Sequence, residues 1–230
     1  MYGRNPLRPQ ELNDGQSLWV QEVFYTLQGE GPFTGYPAVF VRLAGCNLRC
    51  YWCDTDFESS QWRPSLQQLL HEIDSVRPDH CRLIVITGGE PFRQNIAPLV
   101  VSLLERGLKV QIETNGTLWV DLPETPNLTI VCSPKTNYLH PEILQRANAY
   151  KYVVGADGND PSDGLPISST QDAKRQCTIA RPPVDADIYV MPLHVIDERQ
   201  NNINVDRCVE IAKAHGYKLC LQTHKLARFK

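Results

Sequence analysis

Three cysteines lie within eight residues of this chain, at Cys46, Cys50 and Cys53. They follow the apolar run of residues 38–43, so their loop begins where a predicted strand ends. A loop this short brings three thiolates around one inorganic centre, and cysteine thiolates are the ordinary ligands of iron–sulfur clusters. Three ligands leave one iron of a four-iron cube open for a substrate, as catalytic zinc sites keep one position open. The alternatives are a structural zinc with a distant fourth ligand and three unrelated core cysteines.

Length and composition limit the class of protein. The 230 residues suit one domain with a sizeable core. A formal net charge of −3 gives no basic footprint, so no direct nucleic-acid partner is predicted. No stretch approaches the ~20 apolar residues of a membrane span, and residues 1–10 lack the hydrophobic run of a signal peptide. We therefore expect a reducing, cytoplasmic location and no membrane partner. The cysteines outside the loop are scattered, at Cys81, Cys132, Cys177, Cys208 and Cys220.

Strand and helix patterns alternate along the chain. Residues 1–17 are polar and are predicted to be a mobile lead-in with little to bury, and residues 18–230 a single domain. Strands are predicted at 20–26, 38–43, 83–87, 109–113, 128–132, 150–154, 188–191 and 218–222. Helices are predicted from 64–65 through 73, at 96–105, 141–147 and 205–215, and weakly at 169–177. This alternation implies βαβ units in a parallel sheet, with roughly seven core strands, too few for a full eightfold barrel.

The cysteine loop resembles the C-x3-C-x-aromatic-C signature of the radical S-adenosylmethionine (SAM) superfamily, with Trp52 in the aromatic place. An ordered set of further motifs resembles the 7-carboxy-7-deazaguanine synthase family within it. These motifs are residues 27–31, then Gly35, Pro37 and Arg42, then 53–55, 87–91, 113–117, 133–135 and 222–225. The resemblance implies an α/β fold, a partial, splayed (β/α) barrel of the radical SAM type with a reduced helix set.

The motifs follow the carboxyl ends of successive predicted strands. Ligands bind beyond these ends in parallel sheets and barrels, so the motifs are expected to meet at one site. The resemblance implies a lyase that converts 6-carboxy-5,6,7,8-tetrahydropterin to 7-carboxy-7-deazaguanine, with ring contraction and loss of ammonia, in queuosine and deazapurine biosynthesis. It also implies a [4Fe-4S] cluster, SAM and Mg²⁺. Two other classes remain open: another radical SAM enzyme, such as an activase that makes a glycyl radical, and a zinc-binding module without enzymatic activity.

The family's cofactor residues transfer position by position. By this resemblance, the ligands of the iron–sulfur cluster are Cys46, Cys50 and Cys53. SAM falls to Trp52, Cys53, Asp54, Gly88, Gly89, Glu90, Asn115, Ser133, Pro134, Lys135, Met191, Pro192, Leu193 and His194. The family usually has glutamine where this chain has Met191, so the contacts of 191–194 are assigned to the backbone. Outside the family context, Gly88-Gly89 would be a strand-to-helix turn, Trp52 core packing and 133–135 a solvated turn.

The substrate residues implied by the resemblance are Leu27, Gln28, Gly29, Glu30, Arg42, Thr87, Glu113, His224 and Lys230. Arg42 is also singled out by its position, because an arginine inside an apolar strand is costly to bury unless an anion meets it. That anion is either the substrate carboxylate or a protein carboxylate, Glu30 or Glu113. Gln28 and Glu30 are suited to the amide-like edge of a pterin. A structural histidine is the alternative at His224.

The remaining expectations concern magnesium and partners. Thr55 matches the family's magnesium ligand, and the alternative is a turn or helix cap. The resemblance implies a pterin as small-molecule partner, an electron donor such as flavodoxin or ferredoxin, and a homodimer. It also implies that the chain terminus, at Phe229 and Lys230, approaches the substrate.

Overall fold

The computed structural model describes residues 5–53, 55–168 and 178–230. The strands are β1 (Val20–Leu27), β2 (Pro37–Leu43), β3 (Leu83–Gly88), β4 (Lys109–Thr114), β5 (Leu128–Cys132), β6 (Ala149–Val154), β7 (Ile188–Pro192) and β8 (Lys218–Leu219). The helices are α1 (Leu66–Val76), α2 (Ala97–Glu105), α3 (Pro141–Arg146), α4 (Glu198–His215) and α5 (Thr223–Ala227), with short 3-10 turns at Gly31–Phe33 and Pro91–Arg93. None of the helices described is long and apolar enough to cross a membrane.

The strands form one sheet in chain order, from β1 to β8. β1 runs antiparallel to β2, and every later pair is parallel. β1 and β8 are the two edges, so the described sheet curves without closing, which confirms the partial barrel. The connection from β4 to β5, residues 115–127, contains no helix. This agrees with the expected reduced helix set.

Burial and capping explain the elements that were predicted well. Leu83 to Ile86 of β3 are all buried, as expected for a parallel strand covered on both faces. Helix α1 begins at a capping box in which Ser65 and Gln68 exchange side-chain and backbone hydrogen bonds. Its apolar face, with Leu69, Leu70 and Ile73, packs into the main core. These two elements thus begin within two residues of their predicted starts.

Two predictions near the carboxyl end were wrong in extent. Helix α4 begins at Glu198, not at 205, because Asp197 caps it by accepting a hydrogen bond from the Arg199 amide at 2.9 Å. The polar first half of this helix has no apolar period to reveal it. Strand β8 ends at Leu219, and the chain turns into α5, which was not predicted. The weak helix expected at 169–177 lies outside the described residues.

The amino-terminal segment contacts the domain at a few points. Asn5 is 8% exposed, and Gly15 is buried. The Arg8 amide donates to the carbonyl of Cys46 at 2.8 Å, and the Glu11 amide donates to the carbonyl of Arg93 at 2.7 Å. Most of residues 5–17 are exposed, and backbone hydrogen bonds connect them to the cysteine loop and to the segment after β3. The mobility of this segment stays a prediction.

Candidate active site

A cavity of about 640 Å³ opens beyond the carboxyl ends of the parallel strands. Most of the residues predicted for the site contribute to its wall: Leu27, Gln28, Gly29, Glu30, Arg42, Trp52, Thr55, Thr87, Gly88, Gly89, Glu113, Asn115, Ser133, Lys135, Met191, Pro192, Leu193, His194, His224 and Lys230. Glu90, Pro134 and the three cysteines do not line this cavity, and Asp54 lies outside the described residues. Motifs far apart in sequence are thus brought to one place.

The cysteine loop borders this cavity, and two of its residues, Trp52 and Thr55, form part of the wall. Cys46 is buried, Cys50 and Cys53 are half-buried, and none of the three is in a disulfide. Burial raises the pKa of the Cys46 thiol, and the charges of Glu90, Cys50 and Cys53 raise it further. The three sulfurs are therefore within electrostatic reach of one another. Such thiolates repel unless a cationic centre neutralises them, which is what an iron–sulfur cluster supplies.

A structural zinc and a four-iron cluster need different spacings of their ligands. Among the described residues, no group of three or more His, Cys, Asp or Glu side chains is placed to hold a metal ion. A structural zinc draws four such ligands to about 2.0–2.3 Å from one atom. A four-iron cube is wider than one ion, so its three cysteines stand further apart.

Gly88 and Gly89 lie directly against the backbone at the start of the cysteine loop. Gly88 has φ +148°, and a Cβ built on it would lie 2.1 Å from the carbonyl oxygen of Leu43. A Cβ on Gly89 would lie 2.3 Å from the carbonyl oxygen of Gly45 and 2.8 Å from the Cβ of Cys46. Both glycines line the cavity, as the sequence predicted. The structure adds a second reason for them, since only hydrogen at these positions lets β3 end against the base of the cysteine loop.

Gly89→Ala is accordingly expected to displace the cysteine loop. The added methyl group meets backbone, which cannot move aside like a side chain, so both the thermal midpoint and the iron bound per chain should fall. Gly155→Ala is the matched control, because its nearest contact would be an ordinary 3.7 Å. Iron content and thermal melting of the two variants check this. A Gly89→Ala protein with wild-type iron content would contradict it.

Glu90 and Asn115 join strand ends to the cysteine loop. The Glu90 carboxylate is fully buried and accepts from the Thr114 hydroxyl at 2.7 Å and the Asn115 amide at 2.7 Å. Burial raises the pKa of Glu90 to about 7 although these hydrogen bonds lower it. The Asn115 side chain donates to Asn47 of the cysteine loop at 2.9 Å. The Glu90 carboxylate thus connects the segment after β3 with the end of β4.

Lys135 lies between Ser133 and Trp52. Its ammonium donates to the Ser133 carbonyl at 2.8 Å and to the Ser133 hydroxyl, and it lies 5.4 Å from the centre of the Trp52 ring. Burial lowers the pKa of Lys135, while the nearby charges of Cys50 and Cys53 raise it. The segment is half-buried in the cavity wall, so the solvated-turn alternative does not describe it.

Two asparagines of α4 hold the segment after β7 in place, and no sequence motif indicated them. Asn204 is buried and donates to the Leu193 carbonyl at 2.6 Å, while its side-chain oxygen accepts from the Ala156 amide at 2.8 Å. Asn201 exchanges hydrogen bonds with the backbone of Val195 at 2.7 and 2.9 Å. The backbone of 191–195 is thereby held at the cavity wall by side chains.

Arg42 forms an ion pair with Glu22, a residue that no sequence motif contains. Its Nε donates to Glu22 Oε1 at 2.9 Å, and the two side chains are 20% and 31% exposed. Lys230 Nζ lies 2.6 Å from the other oxygen of Glu22 and 4.3 Å from the centre of the Phe24 ring. The protein carboxylate that Arg42 meets is therefore Glu22, and among the described ion pairs neither Glu30 nor Glu113 pairs with it. Glu22 faces Arg42 across the antiparallel β1–β2 pair, a register that no local pattern specified.

The carboxyl-terminal residues close over the loop of residues 28–31. The Thr223 amide donates to the Gly29 carbonyl at 3.2 Å. A Cβ on Gly29 would lie 2.5 Å from His224 Nδ1, so the missing side chain makes room for this ring. The Thr26 hydroxyl donates to the Lys230 carbonyl at 2.5 Å. His224 and Lys230 are thus both in the wall, as the resemblance implied for the site.

Glu30, Glu113 and Lys151 form a buried ionic cluster in the same wall. Lys151 Nζ lies 2.5 Å from Glu30 Oε2 and 3.2 Å from Glu113 Oε2. Burial would raise the pKa of Glu30, but the Lys151 charge and hydrogen bond hold it well below its usual range. Lys151 was missed because no motif contains it. Its signal was a lysine inside the strand pattern Ala-Tyr-Lys-Tyr-Val-Val, which is as unusual as the arginine in β2.

Comparisons with known proteins agree with this geometry. The sequence model of the radical SAM superfamily matches residues 41–126. A 7-carboxy-7-deazaguanine synthase of Rhodospirillum rubrum is 57% identical over 99% of both chains. The synthase of Escherichia coli is 33% identical over 90% of this chain and 96% of that protein. The crystal structure of QueE from Escherichia coli superposes with a TM-score of 0.65 at 30% identity, covering 89% of this chain and 93% of that one.

These similarities extend over the whole domain, well beyond the cysteine loop. Radical SAM enzymes carry a four-iron cluster and SAM, and the cysteine loop and cavity wall described above fit both. The chain belongs to the 7-carboxy-7-deazaguanine synthase family of radical SAM enzymes.

Proposed function

We propose that the chain converts 6-carboxy-5,6,7,8-tetrahydropterin to 7-carboxy-7-deazaguanine, with ring contraction and loss of ammonia, in the route to deazapurines such as queuosine. The observation that carries this is the charge pattern of the cavity. One cluster pairs the carboxylates of Glu30 and Glu113 with a single lysine, and another pairs the cations Arg42 and Lys230 with a single carboxylate. A flat ring with an N–H-rich edge and a carboxylate complements both clusters.

The residues of the chain bind and orient the cofactors and the substrate, and they exclude water from the site. When bound, the cluster and SAM supply the radical that removes a hydrogen atom from the substrate ring. Cys46, Cys50 and Cys53 are the cluster ligands in this proposal. The segment 133–135 and the backbone of 191–194 border SAM. The two charge clusters hold the pterin in one orientation. A substrate held in the reactive orientation reacts faster, and this is the chain's main contribution to the rate.

The direct test is anaerobic incubation of the iron-loaded protein with SAM, a reductant and the carboxy-tetrahydropterin, followed by mass spectrometry. We expect a product lighter than the substrate by one ammonia. SAM cleavage with the pterin unchanged would contradict the proposal and favour an activase. A colourless protein after anaerobic purification would instead support a zinc-binding module.

Magnesium is assigned to Thr55 in this proposal. The residue lies in the cavity wall two positions after Cys53, where a hydroxyl, substrate oxygens and waters could together complete a magnesium shell. Thr55→Ala is expected to retain the cluster spectrum and SAM affinity while product formation falls about tenfold or more, as for the loss of one charged interaction. Turnover assays with and without a magnesium chelator check this. Normal, chelator-insensitive turnover by the variant would leave Thr55 as a turn residue.

The partners complete the proposal. A low-potential flavodoxin or ferredoxin supplies the electron, the enzyme is a homodimer, and it works in the cytoplasm, where the thiols of the cluster loop stay reduced. Reduction of the cluster by a purified flavodoxin and sedimentation of the purified protein test the first two.

A further inference from the structure

Lys151 is a charged residue of the cavity wall that no family motif contains. It lies on β6 between Tyr150 and Tyr152, which point into the main core. Because successive side chains of a strand alternate, Lys151 points the other way, into the cavity wall. Its side chain is 6% exposed. A lysine this deeply buried is unusual unless it meets charged partners.

The partners of Lys151 are two carboxylates from different parts of the chain. Glu30 comes from the loop after β1, and Glu113 comes from β4. Charges of Cys220 and Lys135 also act on this group, and the charge of His224 acts on Glu30. Two like charges in one buried site oppose each other's ionisation unless a cation lies beside them. Lys151 supplies that cation: it contacts both carboxylates and lowers the pKa of Glu30, which can therefore accept hydrogen bonds at neutral pH.

The hydrogen bonds within the cluster leave acceptor sites open. An ionised carboxylate offers about four lone-pair sites. Glu30 receives hydrogen bonds from Lys151 and from Gln222 at 3.0 Å. Glu113 receives them from Lys151, from Gln28 at 3.0 Å and from Gln111 at 2.9 Å. Each carboxylate therefore has at least one site left, and these sites are acceptors only.

We propose that Lys151 is a positioning and specificity-determining residue that holds Glu30 and Glu113 together as a double acceptor for the amino and ring N–H groups of the substrate's pyrimidine edge. The proposal rests on the proposed function, since it takes the pterin as the ligand. The pair would reject a ring with oxygen in place of the 2-amino group, because two acceptors would then face each other. Lys151 acts through the two carboxylates and does not itself touch the reacting atoms.

The test compares Lys151→Met with wild type in two measurements made without turnover. The first is equilibrium binding of the pterin and of its 2-oxo analogue. Wild type should prefer the pterin about ten- to hundredfold, the range of a charged hydrogen bond, and the variant should lose most of that preference. The second is the pH dependence of pterin binding. Wild-type affinity should be flat between about pH 6 and 8, since Lys151 keeps the pKa of Glu30 low, whereas the variant should bind less as pH falls.

Turnover, controls and a charge-balanced variant complete the design. Lys151→Met should raise KM more than it lowers kcat, with iron content and SAM affinity unchanged. Lys218→Met is the matched control, since Lys218 pairs with Asp187 at 2.6 Å on the exposed surface and should behave as wild type. Should Lys151→Met not fold, Lys151→Met with Glu30→Gln removes the uncompensated charge and should still lose the preference for the pterin.

The outcomes separate this inference from the proposed function. Wild-type preference and wild-type pH dependence in whichever variant folds would overturn the role of Lys151, even if its thermal midpoint had fallen. A wild type that binds the pterin with the predicted preference but forms no product would contradict the proposed reaction and support Lys151. A wild type without preference between the two rings would overturn the double acceptor itself.

Discussion

Replacing Cys46, Cys50 or Cys53 with alanine is expected to abolish SAM cleavage. All three thiols lie in one loop, close enough for their charges to interact, and the loop offers no fourth cysteine as a substitute. A cube that loses one of three ligands has two exposed irons and is lost or inactive, so the reduction should reach the limit of detection. Iron and sulfide content, the visible absorption near the thiolate-to-iron bands and the release of 5′-deoxyadenosine are the measurements.

The remaining cysteines provide the controls, and the structure ranks them. Cys81 and Cys208 are buried in the main core, away from the cavity wall. Their replacement by alanine leaves a small void and should lower the free energy of unfolding by about 1 kcal/mol with no change in iron content. Cys220 is a poorer control because its sulfur accepts a hydrogen bond from the Gly31 amide at 3.2 Å, in the loop of residues 28–31 that lines the cavity. Loss of the cluster in Cys81→Ala or Cys208→Ala would overturn the three-ligand assignment.

Much of the fold follows from patterns that a short window of sequence contains. The run Leu83 to Ile86 is apolar on both faces, which only a covered parallel strand requires, and Ser65 marks the start of α1 by its capping box. Helix α4 was predicted too short because its first half is held by Asp197 and by amide contacts to the 193–195 backbone. Those contacts are made by polar side chains over two to eleven residues, so the apolar periodicity that predicts a helix does not record them.

The candidate site shows the same division between local and long-range information. Arg42 was found because a charge inside an apolar strand is unusual in itself. Its partner Glu22 was missed, since the β1–β2 register is set by tertiary packing rather than by the composition of either strand. Lys151 satisfied the same criterion as Arg42, but no motif drew attention to β6. A general search for charges inside predicted core strands would have found both Arg42 and Lys151.

Arg42→Lys should weaken pterin binding and leave the protein folded. The variant keeps the charge but loses the planar fork that meets a carboxylate with two hydrogen bonds, so we expect a loss of about 1.5–3 kcal/mol in binding. Folding should change by less than about 1 kcal/mol, because the pair with Glu22 is partly exposed and lysine can still reach that carboxylate. The two measurements are the substrate dissociation constant and the thermal midpoint without ligand.

Glu22→Gln distinguishes the two partners of Arg42. Burial raises the pKa of Glu22 but the hydrogen bonds and charges of Lys230 and Arg42 lower it overall, so this carboxylate is ionised at neutral pH and competes with the substrate for both cations. Its removal should leave pterin affinity unchanged or higher, and Arg42→Lys combined with Glu22→Gln should still bind weakly. If Arg42 served only to hold Glu22, both single variants would melt earlier and bind the pterin as wild type does. That result would remove Arg42 from the substrate site and leave Lys230 as the cation that meets the carboxylate.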